Sequence, residues 1–273
     1  MLRGGGDLAT GVAWHLTRQG WPVVVLELPE PLAVRRTVSL STAVADGEII
    51  VQGMKGVRVE SITQALAVAG QGDVAVLVAP ALPPLGHAQP DVVVDARMAK
   101  RNIDTAIDDA ESVVALGPGF TAGVDCHAVV ETMRGPSLGR VIRSGQAQPD
   151  TGTPAEIGGR SADRVVRAPA DGTVEWRVGI GDLVAGGRPL GEVGDATVRA
   201  PFDGVVRGAI RAGTRVPAGL KIGDVDPRAD PAACWKISDK ALAVGNGALE
   251  AVLGRLQWPV LTASHSHRLA EAD

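Results

Sequence analysis

An internal repeat in the second half of the chain limits the possible folds more than any other feature of the sequence. The segment VRAPADGTV (Val166–Val174) recurs as VRAPFDGVV (Val198–Val206), and the match continues at the same offset beyond both segments. Each copy contains short Val-rich stretches broken by Gly and Pro, which is typical of strands joined by tight turns. A solenoid needs at least three repeats. Two copies therefore predict a β-sandwich with two-fold internal symmetry.

The first half alternates short apolar runs with stretches of helical periodicity. The helical stretches include Leu8–Gln19 and Ile62–Ala69. The apolar runs are expected to be strands buried on both faces, and they are Trp21–Glu27, Asp73–Pro80, Asp91–Ala96 and Ser112–Gly119. Alternation of this kind predicts an α/β fold with a Rossmann-like parallel sheet covered by helices on both sides.

Changes of pattern along the chain predict four parts. They are a Rossmann-like region over residues 1–150, the repeat over 160–228, a C-terminal helix over 231–255 that packs on the first region, and a tail over 256–273. The linker Gly145–Gly159 is polar and rich in Gly, Pro and Thr, as a domain boundary should be. Gly245 and Gly247 are expected to interrupt the helix. His265 and His267 lie in the tail, where we expect solvation and no metal site.

The composition excludes several classes of protein. Hydrophobic residues make up 45% of the chain, which is enough for a substantial core. The net charge is −4 and the basic residues form no long block, so a nucleic-acid-binding surface is not expected. No apolar run reaches the about 18 residues of a membrane helix. Because the two cysteines are too few for a disulfide framework and no signal-peptide pattern opens the chain, we expect a soluble cytoplasmic protein.

The segment RGGGDLATG resembles a dinucleotide-binding fingerprint. Gly4 and Gly6 would let a phosphate approach the backbone at a helix N-terminus, and Glu27 is placed where an acid binds a ribose hydroxyl. A tight turn without a ligand is the alternative, because the carboxylate of Asp7 would compete with a phosphate for the same amides. Only Met1–Arg3 precede the glycines, whereas a strand usually has about five residues, so we expect the native strand to begin earlier. We assign Gly4, Gly6, Asp7 and Glu27 to a predicted cofactor-binding site.

Two later segments extend the predicted site. Asp95 ends a strand and is followed by Arg97 and Lys100, whose positive charges can hold an anion such as phosphate. Gly117 and Gly119 end the next strand and would let the backbone approach a ligand. Ligands of such sheets bind beyond the carboxyl ends of the strands. An exposed basic surface without a ligand is the alternative.

A pair of arginines, Arg35 and Arg36, follows the second predicted strand. Such a pair can bind an additional phosphate. An exposed pair without a ligand is the more common arrangement.

Asp125, Cys126 and His127 are the candidate catalytic residues. They begin a segment whose apolar residues have helical spacing, and a cysteine at a helix N-terminus has a lowered pKa. We expect Cys126 and Asp95 to lie together at the edge of one pocket. A small buried cysteine without chemistry is the alternative.

The chain resembles the YqeB family over nearly its whole length to about Gly254. The resemblance rests on the segments RGGGDLATG, PEPLAVRRTV, VVDARMAKRN, LGPGFTAGVDCHAVVETMRGPSLGRVI and ISDKALAVGNGALEAV. Members of this family are accessory proteins associated with selenium-dependent molybdenum hydroxylases. The resemblance implies a part in the maturation of an enzyme similar to xanthine dehydrogenase, with the apoenzyme as partner.

The repeat separately resembles the hammerhead domains that carry biotin or lipoate, which are small barrel-sandwich hybrids. The resemblance rests on Ala168-Pro169 and Ala200-Pro201, one pair in each copy. Those carriers present a modified lysine on the hairpin between the halves, but the corresponding segment Gly191–Arg199 contains no lysine. The next lysine, Lys221, is near the end of the second copy. We therefore expect a scaffold or docking surface and no swinging arm.

Three functions remain open from the sequence. The first is a maturation factor that binds a nucleotide or a molybdopterin-type ligand at the sheet edge. The second is an NAD(P)-dependent oxidoreductase, although the chain has no Tyr to act with a Lys. The third is a non-catalytic binding or scaffold module. Nucleic acid and membrane are not expected as partners, and a homo-oligomer is left open.

Overall fold

The computed structural model describes residues 1–83, 89–152, 159 and 162–256. The helices are α1 (Asp7–Arg18), α2 (Ala43–Asp46), α3 (Ile62–Gly70) and α4 (Asp239–Leu256). The strands are β1 (Leu2–Arg3), β2 (Val24–Glu27), β3 (Glu48–Val51), β4 (Met54–Val59), β5 (Val74–Val78), β6 (Val92–Asp95), β7 (Ser112–Leu116), β8 (Thr121–Ala122), β9 (Ala128–Val130), β10 (Val141–Ile142), β11 (Gly145–Gln146), β12 (Val165–Arg167), β13 (Gly172–Trp176), β14 (Leu183–Val184), β15 (Pro189–Val193), β16 (Ala196–Arg199), β17 (Gly204–Ala209), β18 (Arg215–Val216) and β19 (Lys221–Asp226). None of the helices in these described ranges has the length and apolar composition needed to cross a membrane.

A large mixed sheet organises the first half, so the predicted α/β class is confirmed. Its strand order is β10-β9-β7-β6-β1-β2-β5-β4-β3, and all neighbours from β9 to β4 run parallel. The central strands are Val-rich and buried on both faces. Val25 and Val94 belong to the core cluster under α1 and α4, whereas Val24 and Leu26 pack in the cluster under α3. Helices therefore cover both faces of the sheet.

The parallel strands bring several chain segments to one edge of the sheet. The start of α1 follows β1, Met98 and Lys100 follow β6, Pro118 follows β7, and Glu131 follows β9. Because all four strands point the same way, these segments meet beyond the carboxyl ends of the strands.

The repeat folds into two antiparallel four-stranded sheets. Their strand orders are β12-β19-β17-β14 and β16-β15-β13-β18. If each strand is replaced by its counterpart in the other copy, the first order becomes the second. The aliphatic residues of both copies form one core cluster, which includes Val174, Leu190, Val206 and Ile222. The strand order thus has the internal symmetry that the sequence repeat predicts.

Helix α4 packs along α1 and against β7. The expectation that Gly245 and Gly247 interrupt this helix is wrong, because α4 runs unbroken from Asp239 to Leu256. Each glycine lies where another backbone approaches closely. A methyl group on Gly245 would overlap the carbonyl oxygen of Gly11 in α1, and one on Gly247 would overlap that of Gly139.

The helix predicted from Asp125 onward is also wrong. Residues Ala128–Val130 form β9, which pairs in parallel with β7 and is buried. A short run of apolar residues fits a buried strand as well as one face of a helix, and here the free edge of β7 determines the outcome. The tail from residue 257, with His265 and His267, lies outside the described residues.

Candidate functional site

A cleft of about 430 Å³ lies beyond the carboxyl ends of the parallel strands. One wall is the edge of the large sheet, and the other consists of β12, β17 and β19 of the repeat together with the start of α4. The residues that line it include Asp7, Arg35, Met98, Lys100, Pro118, Glu131, Thr132, Met133, Arg134, Gln148, Asp150, Arg164, Arg167, Arg207, Lys221, Asp224, Ser238 and Lys240. The site is therefore shared between the two halves of the chain.

The cleft is strongly basic, although the whole chain has a net charge of −4. Of the described residues, eight basic and four acidic side chains line it. The basic ones are Arg35, Lys100, Arg134, Arg164, Arg167, Arg207, Lys221 and Lys240. A concave surface with an excess of one charge concentrates ligands of the opposite charge. The arrangement favours an anionic ligand.

Three arginines of the cleft are buried without full hydrogen bonding. Arg35, Arg164 and Arg207 are 9%, 6% and 7% exposed. Within the described part of the chain, Nε and Nη1 of Arg35 and Arg164, and Nε of Arg207, have no hydrogen-bond partner. Buried polar atoms are nearly always paired in folded proteins. These three guanidinium groups therefore carry positive charge and hydrogen-bond donors that the described residues leave unsatisfied.

The carboxylates near the three arginines are too far away to satisfy them. Asp224 lies 3.7 Å from Nη1 of Arg164 and 3.9 Å from Nη1 of Arg207, and Asp7 lies 3.8 Å from Nη1 of Arg35. A charge-assisted hydrogen bond spans about 2.7–2.9 Å. The carboxylates reduce the repulsion between the guanidinium groups but leave the donors open.

Two cations of the cleft are destabilised by their surroundings. Burial lowers the pKa of Arg35, and the nearby positive charge of Arg207 lowers it further. Burial also lowers the pKa of the Lys240 ammonium, against the attraction of Asp7. A bound anion would offset both effects.

The loop after β6 carries unusual backbone geometry beside the cleft. Met98 and Lys100 have φ angles of 57° and 62°, in the left-handed region that non-glycine residues seldom adopt. The Nζ atom of Lys100 donates to Oδ2 of Asp150 at 2.6 Å. Strained residues cluster at binding sites, where the surrounding structure holds them in place.

The segment after β9 supplies a buried acid and an ion pair. The carboxylate of Glu131 accepts hydrogen bonds from the backbone amides of Met133 at 2.7 Å and Gln148 at 2.8 Å. Arg134 forms a two-pronged pair with Asp239 at the start of α4, and this pairing lowers the pKa of Asp239 to about 2. The segment thus connects the sheet edge to α4.

Of the residues predicted around the first glycine loop, one lines the cleft and another points into the protein interior. Asp7 lines the cleft. Glu27 turns inward, where Oε2 accepts from the amide of Gly5 at 2.7 Å and Oε1 accepts from the amide of Leu28 at 2.7 Å. Burial raises the pKa of Glu27. Since a side chain already occupies the Gly5 amide, this loop offers less to a phosphate than its sequence indicates.

Gly4 and Gly6 differ in what surrounds them. A methyl group on Gly4 would lie 3.1 Å from the backbone of Arg97, so a glycine is needed there for the packing of two loops. No atom lies within 4 Å of the corresponding position on Gly6, which is the residue before α1.

Asp95 and Arg97 form a closed network next to the cleft. Oδ2 of Asp95 accepts from Nη2 of Arg97 at 2.6 Å and from Oγ1 of Thr105 at 2.7 Å. Asp104 accepts from both Arg3 and Arg97. Neither Asp95 nor Arg97 lines the cleft, whereas the predicted Lys100 does. The network holds the loop that carries Lys100.

Gly117 and Gly119 position the residue between them. Their φ angles are 74° and 102°, and a methyl group on Gly119 would lie 2.5 Å from the backbone of Arg101. Pro118, between the two glycines, lines the cleft. These glycines shape the cleft wall through backbone packing.

The three candidate catalytic residues lie elsewhere. Asp125, Cys126 and His127 come before β9, at the amino end of a strand parallel to β7, whereas the cleft lies beyond the carboxyl ends. Cys126 is 0% exposed in a core cluster with Val93, and the predicted lowering of its pKa is wrong because burial raises it to about 12. Asp95 lies two residues after Val93, so it is on the same face of the sheet as Cys126. The expectation that the two residues line one pocket is not met, because neither lines the described cleft.

The other two members of this group have structural partners. Asp125 accepts from the amide of Thr121 at 2.6 Å, and His127 accepts from the amide of Val113 at 3.0 Å through Nδ1. Burial lowers the pKa of His127. Neither residue lines the cleft.

Thiol titration tests the position of Cys126. Both cysteines are buried and burial raises the pKa of each, so we expect almost no reaction of the native protein with a thiol reagent at pH 8. The denatured chain should react at both cysteines. Rapid reaction of one thiol in the native state would restore Cys126 as a candidate nucleophile.

Sequence reasoning missed the residues that the repeat contributes. Arg207 occupies the position that corresponds to Glu175 in the first copy. This departure from the repeat was available in the sequence and marks the strand that faces the cleft. Nothing in the sequence indicated that Arg164 would lie beside it.

No protein-family profile matches the chain. The uncharacterized protein YqeB of Escherichia coli (strain K12) is 46% identical to it over 253 residues, which are 93% of the chain. The chain belongs to the YqeB family. It spans about half of that relative's length, 47%.

Two solved structures are similar to the chain only at low TM-scores. An aspartoacylase family protein from Mesorhizobium loti is 12% identical over 82% of the chain and 83% of its own, with a TM-score of 0.27. A succinylglutamate desuccinylase/aspartoacylase from Rhodobacter sphaeroides is 26% identical over 30% of the chain and 29% of its own, with a TM-score of 0.22. TM-scores this low carry no argument about fold or function.

Proposed function

We propose that the chain binds a phosphorylated small molecule, either a nucleotide or a molybdopterin-type cofactor precursor, in the basic cleft. The observation that carries the proposal is the set of buried guanidinium donors on Arg35, Arg164 and Arg207 that lack partners among the described residues. Guanidinium groups match phosphate oxygens in geometry and charge. A volume of about 430 Å³ is within the usual range for small-molecule sites.

We further propose that binding serves the maturation of a molybdenum hydroxylase similar to xanthine dehydrogenase, in the cytoplasm. This part rests on what the resemblance to the YqeB family implies, an association with selenium-dependent enzymes of that kind. The ligand would be cargo or precursor, and the hydroxylase apoenzyme would be the partner. The large sheet and the repeat each supply one wall, so the repeat would act as a scaffold that completes the site.

An NAD(P)-dependent oxidoreductase has less support. The acid expected to bind ribose, Glu27, instead accepts from the amides of Gly5 and Leu28. No further observation favours hydride transfer, and the described cleft offers no Tyr because the chain has none.

A carrier function would require a lysine modified with lipoate or biotin. We do not expect such a modification. The turn between β15 and β16 consists of Gly194 and Asp195, and the surrounding segment Gly191–Arg199 contains no lysine. The peptides that contain Gly191–Arg199 and Lys221, from protein purified from its native host, should therefore have their unmodified masses, without a lipoyl or biotinyl group. An added mass of either kind would support the carrier function.

The maturation proposal is tested in a host that contains both this gene and the hydroxylase. Deletion of the gene should abolish most hydroxylase activity, and the wild-type gene should restore it. The Arg164→Met/Arg207→Met variant should fail to restore it, whereas Arg215→Met, an exposed arginine outside the cleft, should succeed. Full hydroxylase activity in the deletion strain would contradict the maturation role. A purified protein that binds neither nucleotides nor molybdopterin-type ligands would contradict the binding role.

A further inference from the structure

We infer that the part of the cleft lined by Arg35, Arg164 and Arg207 is a subsite for one tetrahedral dianion, the phosphate group of a phosphomonoester. The inference rests on the proposed function and deepens it, because it specifies which chemical group of the ligand is bound and by which residues.

The three arginines of the proposed subsite belong to three separate segments of the chain. Arg35 lies in the segment after β2, Arg164 directly precedes β12, and Arg207 lies in β17. All three are more than nine-tenths buried and line the same cleft. Five of their nitrogen atoms lack a hydrogen-bond partner among the described residues. Several donors from different directions suit a tetrahedral acceptor better than a flat one.

The acids near the arginines cannot take the place of the ligand. One carboxylate, Asp224, is shared between Arg164 and Arg207 at 3.7 and 3.9 Å. Asp226 lies 3.7 Å from Nε of Arg207 but is held at 2.5 and 2.9 Å by Arg228. A group with two negative charges and several acceptor oxygens would supply both the charge and the hydrogen bonds that these carboxylates leave unmade.

Hydrogen bonds to the backbone hold the guanidinium group of Arg35 in place. Its Nη2 donates to the carbonyl oxygens of Ala233 and Lys236 at 3.2 and 3.1 Å, so the guanidinium group is anchored on one side. Nε and Nη1 have no hydrogen-bond partner among the described residues. A group anchored in this way loses little conformational freedom on binding, which favours affinity.

Burial restricts the kind of ligand that can bind. A membrane surface or a nucleic-acid duplex requires exposed cations, whereas these three are enclosed between the sheet edge and the repeat. Free inorganic phosphate and the terminal phosphate of a larger molecule have the same chemistry here. Lys100 and Lys221 also line the cleft and are exposed, so they could contact the rest of a larger molecule.

Titration calorimetry of the full chain at pH 7.5 and constant ionic strength tests the subsite. The probes are inorganic phosphate, ribose 5-phosphate as a phosphomonoester, and acetate as a monovalent planar anion. We expect both phosphates to bind and acetate to fail. Tighter binding of ribose 5-phosphate than of phosphate would identify an ester as the natural source, and the reverse order would identify free phosphate. If neither inorganic phosphate nor ribose 5-phosphate binds at millimolar concentration, the inference is overturned.

Substitutions assign the binding to these residues. Arg164→Met should weaken phosphate binding at least tenfold, since charge-assisted hydrogen bonds are lost. Arg164→Lys, which keeps the charge but not the planar group, should give an intermediate loss. Arg215→Met is the matched control and should bind as the wild type does. Circular dichroism and thermal unfolding verify that each variant is folded, and a folded Arg164→Met that binds phosphate normally would overturn the inference.

The inference and the proposed function fail in different ways. If nucleotides bind but Arg164→Met has no effect on them, the subsite is wrong and a ligand-binding role survives. If phosphate binds through Arg164 but the variants restore full hydroxylase activity, the subsite survives and the maturation role is wrong.

Discussion

Replacement of Asp224 by Asn is expected to lower the free energy of unfolding by about 3–5 kcal/mol. Asp224 is buried in β19, and its carboxylate is the described acid shared by the buried guanidinium groups of Arg164 and Arg207. The substitution leaves two like charges buried with less compensation, and removal of one partner from a buried ion pair is strongly destabilising. Urea unfolding followed by circular dichroism measures the change.

Asp195→Asn is the matched control for this substitution. Asp195 lies exposed in the turn between β15 and β16, so the same change of charge should alter stability by less than about 0.5 kcal/mol. Phosphate should restore part of the stability that Asp224→Asn loses, because it binds the folded state alone. An Asp224→Asn variant as stable as the control would mean that the arginines are already satisfied without a ligand.

Replacement of Gly11 by Ala is expected to destabilise the protein by about 3 kcal/mol, at the upper end of the usual cost of overpacking. A methyl group on Gly11 would overlap the carbonyl oxygen of Ala241 in α4. Both atoms that would collide belong to the backbone or are attached directly to it, so the two helices would have to separate. Thermal unfolding of the variant and the wild type measures the loss.

The expected direction is opposite to that of helix propensity. In an exposed helix, a change from Gly to Ala stabilises by about 1 kcal/mol. Gly179→Ala is a control for the added methyl group alone, since Gly179 lies outside the helices, has a negative φ and has no atom within 3.9 Å of the new methyl group. If Gly11→Ala raised the melting temperature, the close approach of α1 and α4 would be wrong.

Local patterns in the sequence predicted the strands and the edge of the sheet where the cleft lies. The runs of buried Val gave β5, β6 and β7, and glycines at the strand ends gave the positions of the loops. These features depend on neighbours along the chain. Asp7 and Lys100, which do line the cleft, were found in this way.

Features that depend on distant contacts were not predictable in the same way. Gly245 looks like a break in a helix until α1 is known to lie against it, and Cys126 looks like a helix start until β9 is known to pair with β7. Arg164 and Arg207 reach the cleft only because the repeat lies against the sheet edge. A search for departures from the repeat would have found Arg207, where the first copy has Glu175.

We expect the cleft between the sheet edge and the repeat to bind an anionic ligand. A crystal structure of the protein grown with inorganic pyrophosphate tests it most directly. We predict density for the anion within hydrogen-bond distance of Arg164 and Arg207. Pyrophosphate bound at the Gly4–Gly6 loop and not at the arginines, or an empty cleft in crystals grown with millimolar pyrophosphate, would mean that the cleft is not an anion site.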